Sequence, residues 1–122
     1  MVFAGFSNGG VSAELLAATR PGARAAVLLH AAMPLEALGA QTWPEGVPVQ
    51  VHYAADDSFR KQESIDAFAA AVRASGAAYE FFEYPASGHL ITDASLPDEY
   101  HQESAQTLFE QVLAFLERID RT

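Results

Sequence analysis

The chain has 122 residues, 50% of them apolar and 19% charged, a length and composition that fit one compact domain and exclude two domains, a disordered chain or a collagen-like one. Its 7 Lys and Arg stand against 16 Asp and Glu, and a net charge of −9 repels a phosphate backbone, so nucleic acid is not an expected partner. Cysteine is absent, which removes disulfides, thiolate metal sites and a cysteine nucleophile and suits a reducing compartment; with no apolar run near the roughly 20 residues of a membrane span and no basic leader, a soluble cytoplasmic protein is expected.

Val2-Phe3-Ala4 is a short apolar run that stops at Gly5, and beyond Gly9-Gly10 the residues Val11, Leu15 and Ala18 recur at helical spacing. This reads as strand, tight turn, helix. Pro21-Gly22 ends the helix, and residues 24–31 form the continuous apolar stretch of a strand covered on both faces. Pro34, Gly39, Pro44 and Gly46 make residues 32–46 a loop with at most a short helix, before a third strand at 47–54. Ile65, Phe68, Ala69 and Val72 predict a helix over 61–75, which Gly76 closes. The aromatic-rich residues 79–84 are a fourth strand stopping at Pro85, and a loop leads to Asp98 as the cap of a last helix. That helix carries Leu108, Phe109, Val112, Phe115, Leu116 and Ile119 on one wide apolar face. Strands alternating with helices predict an α/β fold: a three-layer sandwich around a mostly parallel sheet of about four strands.

In such sheets ligands gather beyond the carboxyl ends of the strands, where this chain places Ser7, His30, Asp56-Asp57 and the loop holding His89. Gly5-Phe6-Ser7-Asn8-Gly9 matches G-x-S-x-G between a predicted strand and a predicted helix, the setting of a nucleophile elbow. The strained turn is expected to leave no room for side chains at Gly5 and Gly9, and the Asn8 backbone N–H is the candidate oxyanion donor. Serine needs a base, and the base needs a carboxylate, in the chain order Ser, acid, His. His89 is the candidate base, since its short loop after a strand can reach the serine. His52 inside a strand and His101 near a helix start read as packing or solvent residues, and His30 reads equally as a pocket wall or an ordinary strand-end histidine. The acid is Asp56 or Asp57. A metal site using these acids with His89 and Asp93 has too few convergent ligands, so neither metal nor other cofactor is expected.

The segments GFSNGG at 5–10, HYAADDSF at 52–59 and YPASGHLITD at 84–93 resemble the carboxyl half of the α/β-hydrolase fold, and within it the dienelactone hydrolase family. The resemblance implies a catalytic Ser7, Asp57 and His89, with Asp57 preferred over Asp56 because the family's acid precedes a small residue and an aromatic, as in Asp57-Ser58-Phe59. Phe6, His30, Phe59 and Leu90 are the candidate substrate-binding side chains. Members named for dienelactone hydrolysis resemble one another in using cysteine at the elbow, so Ser7 implies general ester or lactone hydrolysis rather than that named reaction. The first half of the fold, with the loop that supplies a second oxyanion N–H, has no counterpart, and the chain reads as one apparently truncated domain, residues 1–122. Its first strand is then expected at a sheet edge, where residues 2–6 of two copies would pair into a homodimer. The competing reading is a catalytically weak or inactive hydrolase-like module that binds a partner.

Overall fold

Strand and helix alternate along the whole computed structural model, which describes residues 1–121. The order is β1 (Val2–Phe6), α1 (Asn8–Thr19), β2 (Ala25–Leu29), a 3₁₀ turn (Leu35–Leu38), β3 (Val49–Asp56), α2 (Gln62–Ser75), β4 (Tyr79–Ser87) and α3 (Gln102–Asp120). The strands form one sheet in the order β1-β2-β3-β4, every pair parallel. Parallel neighbours need a crossover, and α1 and α2 supply two of them. All five residues of β2 are buried, as the unbroken apolar run requires of a strand covered on both faces.

The core lies in two layers, one on each side of the sheet. On one face Ala13 and Ala17 of α1 and Ile65, Phe68 and Val72 of α2 pack on Leu28, Val49 and Val51. Phe68 is fully buried and meets Trp43 edge to face at 5.2 Å, so truncating it to Ala would cost about 3–5 kcal/mol. On the other face Leu108, Phe115 and Ile119 of α3 cover Val27, Leu29 and Tyr84. The three-layer α/β architecture is therefore the observed one. No helix among the described residues is long and apolar enough to cross a membrane.

Several local expectations differ from what folds. In α1 the buried face is Gly10, Ala13, Glu14 and Ala17, whose small residues let the helix lie close to the sheet; Val11 and Ala18 are half-buried at its margin, and Leu15 is exposed. Strand β4 continues through Pro85 to Ser87. Ala54 pairs with Tyr84 but Asp56 with Ser87, so a one-residue irregularity absorbs the proline, which an edge strand tolerates. The cap of α3 is His101, not Asp98: its Nδ1 accepts from the Ser104 N–H at 3.2 Å. The apolar face of α3 is also narrower than its sequence suggests, because Phe109 is exposed.

Candidate active site

Ser7 sits where one backbone has to serve two ladders. Its N–H donates to Leu29 O at 2.8 Å, extending the β1–β2 pairing, while its C=O accepts from the Val11 N–H at 3.1 Å as the first turn of α1. A strand and a helix cannot meet at one residue in ordinary φ/ψ space, and Ser7 is held at φ 52, ψ −118. A conformation of this kind costs about 1–3 kcal/mol and survives only because the neighbours over-determine it. Close approach of strand and helix explains two of the glycines. A Cβ at Gly5 would lie 2.2 Å from Gly9 O, and one at Gly10 would lie 2.7 Å from the Ala31 Cβ. Gly9 departs from expectation, since a Cβ there would meet nothing within 4 Å; the crowded pair is Gly5 and Gly10.

Asp57 follows the end of β3 in a loop that Arg60 fastens, donating from Nη1 to Ala54 O at 3.1 Å and to Glu83 Oε2 at 2.7 Å. The Asp57 carboxylate is out of contact with water and its Oδ1 accepts from the Phe59 N–H at 2.8 Å. His89 follows β4 through Gly88, whose φ of 130 and the 3.3 Å approach of Glu99 to its missing Cβ both call for glycine. The loop is tied by Glu99 Oε1, which accepts from the His89 N–H at 3.0 Å and the Leu90 N–H at 3.3 Å. The result is a continuous line. Ser7 Oγ and His89 Nε2 are 2.6 Å apart, and His89 Nδ1 faces both Asp57 oxygens, at 2.8 and 3.0 Å. A carboxylate facing Nδ1 favours the proton there and leaves Nε2 to accept from the serine hydroxyl. Asp56 takes no part: its Oδ2 accepts from Ser87 Oγ at 3.1 Å.

These groups open onto a pocket of about 270 Å³, whose lining includes Ser7, Asn8, His30, Tyr53, Phe59 and His89. Asn8 is the first residue of α1, so its N–H has no intrahelical acceptor and lies at the helix's positive end. Phe59, 70% exposed, leans on the His89 ring at 4.6 Å. Phe6 and Leu90 lie elsewhere, lining a neighbouring cleft with Asp93 and Phe109. Asp93 is bound into its own turn by the Ser95 N–H at 2.9 Å, and among the described residues no group of three or more His, Cys, Asp or Glu could hold a metal ion.

Burial sets the electrostatics. His30 is almost wholly buried, and that burial, aided by the nearby His89, lowers its pKa to about 4. His52 is lowered to about 4 for the same first reason and is satisfied at both nitrogens, by Tyr84 OH at 2.8 Å and Gln50 Oε1 at 2.9 Å, as a packing histidine should be. Two residues that sequence reading passes over hold the pocket wall: Tyr53, which lines it, and Glu14, whose Oε1 accepts from the Met33 N–H at 2.8 Å. Glu14 is fully buried, and burial pushes its pKa up to about 8. Its one sequence signal is the small-residue stripe Gly10, Ala13, Ala17, on whose face it lies.

Among solved structures the chain is similar to a putative dienelactone hydrolase of Klebsiella pneumoniae, at 27% identity and a TM-score of 0.71, over 93% of this chain and 50% of that one. It also resembles the dienelactone hydrolase-like promiscuous phosphotriesterase P91 from metagenomic libraries, at 19% identity and a TM-score of 0.80, over 97% and 52%. Esterase 2 of Thermogutta terrifontis follows at 21% and 0.69, over 97% and 55%. The chain thus spans about half the length of these proteins, and the latter two likenesses concern the fold alone. No curated protein matches it. The family model described as the dienelactone hydrolase family matches residues 1–120, the whole of the sheet together with the loops that carry Ser7, Asp57 and His89, and the chain belongs to that family.

Proposed function

We propose that this chain hydrolyses small carboxylic esters or lactones, with Ser7 as nucleophile, His89 as general base and then acid, and Asp57 as the group that orients His89. The observation that carries the reading is the unbroken hydrogen-bonded line from Ser7 Oγ through His89 to a carboxylate with no solvent contact. Ser7 Oγ attacks the carbonyl carbon as its proton passes to His89 Nε2, and the oxyanion forms beside the Asn8 N–H. His89 gives that proton to the departing alcohol. A water then attacks the acyl-serine, losing its proton to His89, and the acid leaves as Ser7 Oγ recovers it.

A second reading has its own support. The chain spans about half of its structural neighbours, and Asn8 is the one oxyanion donor assigned, where loss of one donor of a pair costs about 10²–10³ in rate. On that reading the chain is a weakly active or inactive module that binds a partner. A fluorophosphonate probe separates the two. Stoichiometric labelling of folded protein at Ser7, with p-nitrophenyl acetate turnover that Ser7→Ala abolishes, supports the enzyme; a folded chain that neither labels nor turns over supports the module.

A further inference from the structure

His30 carries three features that no other residue near the pocket combines. Among the described residues it and Ser7 are the non-glycine positions at positive φ, 63 and 52 degrees, and they stand at the ends of adjacent strands. Its backbone is fixed by the bond from its N–H to His52 O at 2.9 Å, so the turn that follows β2 is held in a sparsely allowed conformation. Its ring is buried at 3% exposure with neither nitrogen hydrogen-bonded. Each of the other three histidines has a partner: His52 in Tyr84 and Gln50, His89 in Ser7 and Asp57, and His101 in Ser104 at Nδ1. Leucine or phenylalanine would fill the same space without burying two unpaired polar atoms, so packing alone does not account for an imidazole here.

A ligand in the pocket accounts for it. Burial keeps the ring neutral, so it offers one donor and one acceptor and no charge, a poor match for a carboxylate and a good one for a hydroxyl group. Its centroid is 5.7 Å from that of His89, which itself touches Ser7, so a group bound at His30 lies a few bonds from the carbonyl under attack. The remaining wall sets the apolar Val11, Ala31, Ala32 and Met33 beside the polar Lys61 and Ser64, and 270 Å³ is at the small end for a ligand site. Resting on the serine-ester reading above, we propose that His30 recognises a hydroxyl on the acyl part of the substrate, so that the preferred substrates are esters or lactones of short hydroxy acids. Both ring nitrogens are out of solvent contact, so taking the hydroxyl requires the ring to turn about χ2.

The test compares kcat/KM for p-nitrophenyl 3-hydroxybutyrate and p-nitrophenyl butyrate. Wild type is expected to favour the hydroxy ester about 10-fold or more, and His30→Phe, which keeps the ring and removes both nitrogens, to bring that ratio near one. If the phenylalanine variant fails to fold, the His30 imidazole nitrogens of the Ser7→Ala protein are followed by NMR during titration with methyl 3-hydroxybutyrate and with methyl butyrate. A shift specific to the hydroxy ester supports the assignment, and equal or absent responses overturn it. Wild type that hydrolyses both esters equally overturns the role of His30 and leaves ester hydrolysis standing. Wild type inert to both esters and to fluorophosphonate overturns the two readings together.

Discussion

Glu14 offers a quantitative test of the packing beneath the pocket. Its carboxyl is fully buried, Oε1 accepts from the Met33 N–H and Oε2 has no partner. Burial raises the pKa from 4.5 to about 8. Below pH 4.5 the acid is protonated in folded and unfolded chains alike, and its full stability is present. Between 4.5 and 8 the unfolded chain has lost a proton that the folded chain keeps, so stability falls by about 1.4 kcal/mol per pH unit and levels off above 8. Glutamine does not titrate and still offers an oxygen to Met33. Glu14→Gln should therefore gain on wild type by about 3 kcal/mol between pH 5.5 and 8.5, roughly 10 °C in Tm for a domain of this size. The new NH₂ lacks an acceptor and costs about 1–3 kcal/mol, but equally at every pH. Urea or thermal denaturation of both proteins at pH 5.5, 7 and 8.5 measures the difference, in which the titrations of other groups cancel. A difference that does not change with pH refutes the buried, protonated carboxyl.

On the proposed mechanism, Asp57→Asn should lower kcat about 10⁴-fold by favouring the wrong imidazole tautomer, whereas Asp56→Asn, which loses one exposed bond to Ser87, should stay within a few-fold; steady-state kinetics with equal losses in the two variants would contradict the pairing of Asp57 with His89. Gly5→Ala drives a methyl into Gly9 O and should destabilise by about 4 kcal/mol or more, while Gly9→Ala should change stability by no more than about 1 kcal/mol, as read from denaturation midpoints. Strand β1 lies at the sheet edge, and Val2, Phe3 and Ala4 carry neither charge nor proline, so the 122-residue chain is expected to pair with a second copy there. Light scattering at micromolar concentration should then give a dimer, and a monodisperse monomer would rule that pairing out.

The parts of the fold legible in the sequence are those where one residue type has one local cause. Gly76 closes α2 in the left-handed conformation that glycine favours, and the unbroken apolar run of β2 reads as a strand covered on both faces. The positions of Ser7 and His89 are legible because each follows a strand through a glycine-bearing turn, and the two side chains meet there. What stays hidden depends on direction in space. Asp56 and Asp57 are chemically identical neighbours, and only the course of the loop after β3 turns one toward His89 and the other toward Ser87. Pro85 reads as a stop because a proline ends most strands, yet β4 is an edge and carries it in a bulge. Glu14 and Glu99 look like ordinary polar residues until the third dimension brings Met33 and the His89 loop to them.

Because every strand pairing is parallel, no two neighbours in the sheet can close as a hairpin, and each must wait for a crossover, through α1 or α2 in two cases and through the loop with the 3₁₀ turn in the third. Ser7 and His89 are 82 residues apart, and Asp57 and His89 are 32 apart. Topologies dominated by such distant contacts fold slowly, over roughly milliseconds to seconds for small domains. The order of events is constrained as well, since Ser7 cannot reach His89 until β3 and β4 have docked behind β2 and the loop of His89 has settled on Glu99. On the proposed mechanism Ser7 is therefore late to become reactive, so labelling of Ser7 during refolding would time completion of the sheet rather than collapse of the chain.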